Sequence, residues 1–307
     1  MLWFESLDET VKAYLPDLAW ECDAAMSRHT SFRIGGPARR MAFPSSAEQL
    51  VLLMSFAHTC GARPLVIGNG TNLLVPDDGL DRLVINTSRN MNRLELEDDG
   101  ATVRAESGAT LARLADFAQK NGLAGLEFAH GIPGTVGGGV CMNAGAYDGE
   151  MKGAVVSATV LDPENGIRTL SSDELAFGYR HSALTDHPDW ISLRAEFRLQ
   201  PGDPAAIRAK MNDLMDRRKA SQPLEFPSAG SIFKRPAGYF AGTLIDQCGL
   251  KGLTVGGAQV SEKHAGFIIN RGGATCADVL ELISQVQELV LARKGVRLEP
   301  EVRMFKN

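Results

Sequence analysis

The sequence predicts a mixed α+β protein in which two α/β units precede a further, C-terminal domain. Three observations predict it. Two helical patterns between Ser46 and Gly122 each lie beside a short strand pattern, residues 191–199 alternate strictly, and a Pro201-Gly202-Asp203-Pro204 break is followed by helical spacing.

In chain order, residues 46–61 read as a helix: Ser46 and Gln49 have capping-box spacing, Leu50, Leu53, Met54 and Ala57 share one face, and Gly61 can stop it. Pro64-Leu65-Val66-Ile67 follows as an apolar strand that runs into a glycine loop, where α/β layers commonly bind ligands. Residues 102–106 read as a strand and 110–121 as a helix, with Thr110 as N-cap, Leu111, Leu114 and Ala118 inward, and Gly122 as stop. In 191–199, Ile191, Leu193, Ala195, Phe197 and Leu199 face one way and Ser192, Arg194, Glu196 and Arg198 the other, as in a half-buried antiparallel strand. Beyond the break, Ile207, Met211, Leu214 and Met215 mark a helix over 207–218. The last strong helix covers 278–293, capped by Asp278 and buried through Val279, Leu282, Ile283, Val286, Leu289 and Val290. The domains expected are 1–203, subdivided near 87, then 204–296, with 297–307 as a closing strand.

At 307 residues, 44% hydrophobic and 22% charged, the chain is long enough for two or three packed units and is not of disordered composition. A formal net charge of -5 gives no general attraction to nucleic acid or anionic lipid, so a bound anion has to be met by local chemistry. Five cysteines without a CxxC pair point to reduced thiols in a cytoplasm, and no metal site is expected. The N-terminal stretch carries Glu5, Asp8 and Glu9 and no basic run before an apolar one, so no secretory signal is expected. No apolar run reaches the roughly 20 residues that span a bilayer.

Two glycine-rich stretches concentrate the chemistry. Ile67, Gly68, Asn69, Gly70, Thr71, Asn72 and Leu73 form the first. Gly131, Ile132, Pro133, Gly134, Thr135, Gly137 and Gly138, with Asn143, Ala144, Gly145 and Ala146 beyond them, form the second. Glycine lets bare backbone N–H groups approach a phosphate, and Thr and Asn add donors, so both can hold a pyrophosphate. Either alone reads more readily as a tight turn; two, each after an apolar segment, favour the anion site. Leu73 stands where a Rossmann fingerprint needs its third glycine, and no GxxxxGK[ST] occurs, which disfavours both of those enzyme classes.

Thr30-Ser-Phe-Arg-Ile-Gly-Gly36, the 67–74 loop, 131–147, Phe177-Gly-Tyr-Arg-His-Ser182, 228–236, 256–267 and Leu298-Glu-Pro-Glu-Val-Arg303 resemble, in order, the signature blocks of the UDP-N-acetylenolpyruvoylglucosamine reductase family. The resemblance covers about residues 28–303. It implies the FAD-binding fold of the vanillyl-alcohol oxidase and p-cresol methylhydroxylase type, in two α/β subdomains, plus a C-terminal α+β domain for substrate. It also implies non-covalent FAD, NADPH as first reactant, and reduction of UDP-N-acetylglucosamine enolpyruvate to UDP-N-acetylmuramate for peptidoglycan, with a hydride passing from flavin N5 to the terminal methylene carbon.

That hydride leaves charge beside a carboxylate, so the chemistry needs a proton donor and stabilising groups. By motif position Ser231 resembles the family's proton donor, Arg180 the arginine on the substrate carboxylate, and Glu301 the acid that stabilises the enol; Glu299, two residues away, ranks behind it. Tyr179 is a candidate for the sugar phosphate or the reacting group, and Arg217, Arg218, Lys219, Lys234 and Arg235 are candidates for the diphosphate or for NADPH, with a solvated surface role open for each cation. His264 invites a general-base reading, yet without a partner carboxylate a structural hydrogen bond is expected of it. The stretch between Arg180 and Ser231 lacks the tyrosine-bearing insertion of some members, so the chain resembles the shorter type. Two other readings stay open: a different oxidoreductase on the same FAD fold, and a UDP-sugar sensor without turnover. The protein is expected to be a cytoplasmic monomer.

Overall fold

The computed structural model describes residues 2–305. The chain divides into two compact units. The first takes in the chain up to Glu21, Met41–Asn69 and Leu83–Arg218; the second takes in Cys22–Arg40, Gly70–Arg82 and the chain from Lys219 on.

In the first unit, the helix Ala47–Thr59 starts where the Ser46 hydroxyl accepts the Gln49 N–H at 3.2 Å. It buries Leu50, Leu53 and Ala57, while Met54 stays partly exposed. The strand Pro64–Ile67 pairs in parallel with Leu83 to Asn86 and carries the chain into the first glycine loop. A five-stranded antiparallel sheet holds the rest, in the order Gly166–Ser171, Val155–Asp162, Ile191–Arg198, Thr102–Glu106, Leu94–Leu96. Its central strand buries Ile191, Leu193, Ala195 and Phe197 in strict alternation, because successive side chains of a strand point to opposite faces. The helix Leu111–Lys120, capped by Thr110, lays Leu111, Leu114, Ala115 and Ala118 into the same core.

The helix expected over 207–218 runs from Pro204 to Ser221. Pro204 tolerates the first position because its missing N–H would have had no helical partner, and the Asp203 carboxylate accepts the N–H groups of Ala205 and Ala206 at 3.1 and 3.2 Å. Through Ile207 and Met211 this helix joins the core of the first unit, which therefore extends to Arg218, past the expected boundary at 203.

The second unit is an antiparallel sheet, in the order Ser228–Ser231, Phe267–Asn270, Ala258–Val260, Thr254–Val255, with the helices Ala241–Gln247 and Cys276–Lys294. Val279, Leu282, Ile283, Val286 and Val290 of the long helix pack with Ile232, Phe233 and Ile268. Its cap is Thr275, not Asp278: the Thr275 hydroxyl accepts the Asp278 N–H at 3.0 Å and the Asp278 carboxylate accepts the Thr275 N–H at 2.9 Å, a reciprocal box. The earlier segments join this unit at defined points, with Asp77 accepting from the N–H groups of Cys276 and Ala277 at 2.7 and 3.1 Å. Of the closing segment, Arg303–Met304 forms a strand, parallel to Leu73–Leu74. No helix among the described residues is long and apolar enough to cross a membrane.

Candidate active site

In the first unit the two glycine stretches come together. The Asn69 side-chain amide donates to the Pro133 carbonyl at 2.9 Å, and a Cβ on Gly68 would lie 2.1 Å from the Thr135 hydroxyl, so only glycine permits this approach. Among the described residues, the backbone N–H groups of Gly68, Asn69, Gly134 and Thr135 donate to no protein acceptor. Backbone donors left over in a partly buried cradle suit a polyanion, which is the fit test for a dinucleotide pyrophosphate. Ser107 adds to it: its hydroxyl is buried without a protein partner while its carbonyl accepts the Gly137 N–H at 2.8 Å. No sequence signal marks Ser107 as part of such a site.

Asn143 behaves otherwise. Its amide donates to Glu150 at 3.0 Å and to the Gly178 carbonyl at 2.9 Å, and its oxygen accepts the Lys152 N–H at 2.9 Å. Both side-chain donors have partners inside the protein. What Asn143 ties down is the turn that carries Tyr179 and Arg180, whose backbone is left-handed at Arg180 with φ +54°. The Arg180 guanidinium lies 3.5 Å from the Gly145 carbonyl and 5.5 Å from the Tyr179 ring centre; the Tyr179 side chain is exposed. Arg218 is half-buried in the same unit, with its Cδ 3.1 Å from where a Cβ on Gly131 would be. Burial lowers the pKa of its guanidinium, the phenol of Tyr147 opposing. Arg218, expected at the substrate, is thus placed on the second glycine stretch by the helix Pro204–Ser221.

In the second unit Ser231 ends a bulged strand. Ser228 pairs with Ile269 and Ser231 with Phe267, one residue more on the first strand than on the second, and Gly230 takes φ +76° within the bulge. A bulge re-aims the side chain that follows it, here Ser231, whose hydroxyl makes only long contacts, 3.4 Å to the Phe233 carbonyl and 3.5 Å to that of Gly266. The segment bearing Glu301 runs alongside: the Glu301 N–H donates to the Ile232 carbonyl at 2.7 Å and the Lys234 N–H to the Glu299 carbonyl at 2.9 Å. Glu301 is also tied to the first glycine loop, its carbonyl accepting from the Asn72 amide at 3.1 Å while the Arg303 N–H donates to the Asn72 carbonyl at 3.0 Å. Glu301 is half-buried, whereas Glu299 is exposed and paired with Lys234 at 3.5 Å.

Two further candidate cations of this unit are Arg235 and Lys219. The Arg235 guanidinium covers the Phe240 ring at 3.8 Å, and the Lys219 carbonyl accepts from the Lys263 ammonium at 2.6 Å. Arg217, at the end of the first unit, pairs with Asp213 at 2.8 Å. His264 makes a structural hydrogen bond, its Nδ1 accepting the Gly266 N–H at 3.1 Å.

A family model described as the UDP-N-acetylenolpyruvoylglucosamine reductase C-terminal domain matches residues 222–305, and a FAD-binding domain model matches 38–171. A UDP-N-acetylenolpyruvoylglucosamine reductase from Levilactobacillus brevis is 49% identical over 283 residues, covering 92% of each chain. The chain belongs to the UDP-N-acetylenolpyruvoylglucosamine reductase family. A relative of the same name from Caldanaerobacter subterraneus is 46% identical over 98% of each chain. The solved structure of the UDP-N-acetylenolpyruvylglucosamine reductase from Thermus caldophilus matches with a TM-score of 0.80 at 35% identity, over 94% of this chain and 99% of that one. The FAD-binding match spans both glycine stretches, where the backbone N–H groups without a protein acceptor among the described residues lie.

Proposed function

We propose that this protein reduces UDP-N-acetylglucosamine enolpyruvate to UDP-N-acetylmuramate with NADPH, in peptidoglycan precursor synthesis, acting in the cytoplasm as a monomer. Family membership over nearly the whole chain supports the activity. The observation that carries the residue roles is the placement of Ser231 beside the Glu301 segment, through the 2.7 Å hydrogen bond from the Glu301 N–H to the Ile232 carbonyl.

The cradle of Gly68, Asn69, Gly134 and Thr135 N–H groups would hold the FAD pyrophosphate, and Arg218, seated on Gly131, adds a positive charge to it. The chemistry that FAD supplies when bound is relay of one hydride from NADPH to the terminal methylene carbon of the enolpyruvyl ether. Arg180 holds the substrate carboxylate, where a fixed fork of donors meets the growing negative charge. Glu301 helps to stabilise the enol that forms on hydride transfer. Ser231 gives its hydroxyl proton to the carbon next to the carboxylate, which completes the reduced lactyl ether; the serine oxygen then recovers a proton from solvent. Tyr179, Arg218, Lys219, Lys234 and Arg235 are the candidates for the sugar diphosphate.

Anaerobic stopped-flow absorbance tests the assignment. The protein should bleach with NADPH and recover its oxidised flavin band on addition of the enolpyruvyl UDP-sugar. In Ser231→Ala, bleaching should be unchanged and recovery slower by about 10²-fold, the scale of a lost, positioned proton donor. Recovery at the parent rate would remove Ser231 from the mechanism, and bleaching without recovery in the parent would point to a different FAD enzyme.

A further inference from the structure

His264 lies one residue's width from Ser231. A Cβ built on Gly266 would be 3.0 Å from the His264 Cε1, 3.1 Å from its Nδ1 and 3.3 Å from the Ser231 hydroxyl, so ring, glycine and hydroxyl are in continuous contact. The helix Ala241–Gln247 closes a further side, since a Cβ on Gly242 would meet the His264 Cε1 and the Gly266 nitrogen at 3.2 Å each. The residue is held through both its backbone and its ring. The His264 N–H donates to the Ser261 hydroxyl at 3.2 Å, its carbonyl accepts the Phe267 N–H at 3.0 Å, and the ring stands edge-on to Phe267 with centroids 5.0 Å apart.

The consequence runs through Gly266. Its N–H is held by the His264 Nδ1 at 3.1 Å, and its carbonyl accepts the Ile232 N–H at 2.9 Å while facing the Ser231 hydroxyl at 3.5 Å. Nδ1 can accept only if it carries no proton, which requires the neutral ring with its proton on Nε2. Burial, and then the charge of Lys251, hold the His264 pKa below its ordinary value, against a hydrogen bond from its own backbone, so the acceptor form prevails at neutral pH. The Gly266 N–H and carbonyl lie in successive peptide planes joined by φ and ψ at a residue with no side chain to restrict them, and the imidazole holds the first of these planes.

We propose that His264 is a positioning residue for Ser231: by accepting the Gly266 N–H it fixes the Gly266 carbonyl, and with it the direction in which the Ser231 hydroxyl presents its proton. The proposal rests on the role given to Ser231 above and adds a residue that does not touch the substrate.

The test uses the full-length holoenzyme and follows the two half-reactions separately by anaerobic stopped-flow. In His264→Asn the amide oxygen stands where Nδ1 stood; in His264→Gln the amide reaches the Nε2 position and leaves Gly266 without its acceptor. Flavin reduction by NADPH should stay at the parent rate in both, which also reports that each variant folds and retains FAD. Reoxidation by the enolpyruvyl UDP-sugar should be near the parent rate in His264→Asn and slower by about 10-fold in His264→Gln, in the limiting rate and not in the half-saturating concentration. Combined with Ser231→Ala, His264→Gln should add no further loss, because the group it positions is gone. Reoxidation of His264→Gln at the parent rate, or equal losses in Asn and Gln, or an additive double variant, would each overturn the proposal. A normal rate in Ser231→Ala alone would instead overturn the serine assignment, so the two failures are distinct.

Discussion

Gly68 has no side chain because Thr135 leaves no room for one: an added Cβ would sit 2.1 Å from its hydroxyl and 2.9 Å from its methyl carbon. Gly68→Ala therefore has to push the two glycine stretches apart or turn Thr135 out of the cradle. FAD affinity should fall by about 10-fold or more, roughly 1.4 kcal/mol, read by quenching of flavin fluorescence on titrating the apoprotein. Thr135→Ala in the same background removes both close atoms and should recover part of the loss. An affinity equal to the parent's in Gly68→Ala would show that the contact does not shape the FAD site. At this scale the sequence identifies Gly68 and Thr135 as members of glycine stretches, but their contact belongs to the fold. The same limit applies to Asn143, whose donors go to Glu150 and Gly178, and to Arg218, whose approach to Gly131 depends on how its helix packs.

The elements that were most legible are those whose signals are local. Ser46 and Thr110 cap the helices that follow them, and the alternation of 191–199 is the alternation of burial along Ile191–Arg198. Elements were misjudged where a residue type suits two positions. Asp278 can be an N-cap or the third residue of a capping box, and only the backbone geometry decides for Thr275. Pro204 can break a chain or begin a helix, and the Asp203 carboxylate decides for the start. The Thr275 cap carries a prediction of its own. Thr275→Ala removes the acceptor of the Asp278 N–H while Asp77 still serves Cys276 and Ala277, so the loss should be about 1 kcal/mol, seen as a lower urea midpoint with an unchanged slope. An unchanged midpoint would mean that Asp77 alone secures this helix end.

For the whole molecule, FAD held in the proposed cradle would be a ligand of the native state only, so its removal should cost stability by mass action. At about 100-fold excess over the dissociation constant, bound ligand contributes roughly 2.7 kcal/mol, and in a chain of this length that amounts to a Tm lower by about 4 °C in the apoprotein. Differential scanning calorimetry of holo and stripped protein reads the shift, and flavin released into the supernatant on denaturation reports non-covalent attachment. Equal Tm values, or flavin left on the precipitate, would contradict that mode of binding.

By itself the sequence determined the helix and strand pattern, the glycine stretches and the order of motifs that identifies the family. The first two follow from short-range periodicity, caps and local composition, which a chain carries whatever its folded partners, and the family follows from the resemblance of the motifs themselves. The tertiary structure alone decided which of those residues meet. The extra residue at Gly230 re-aims Ser231, the pairing of Arg303 with Leu73 seats Glu301 while Glu299 faces solvent, and the turn from His264 to Phe267 sets an imidazole behind the serine. Side-chain direction depends on register and bulges between segments distant in sequence, and no local pattern encodes it.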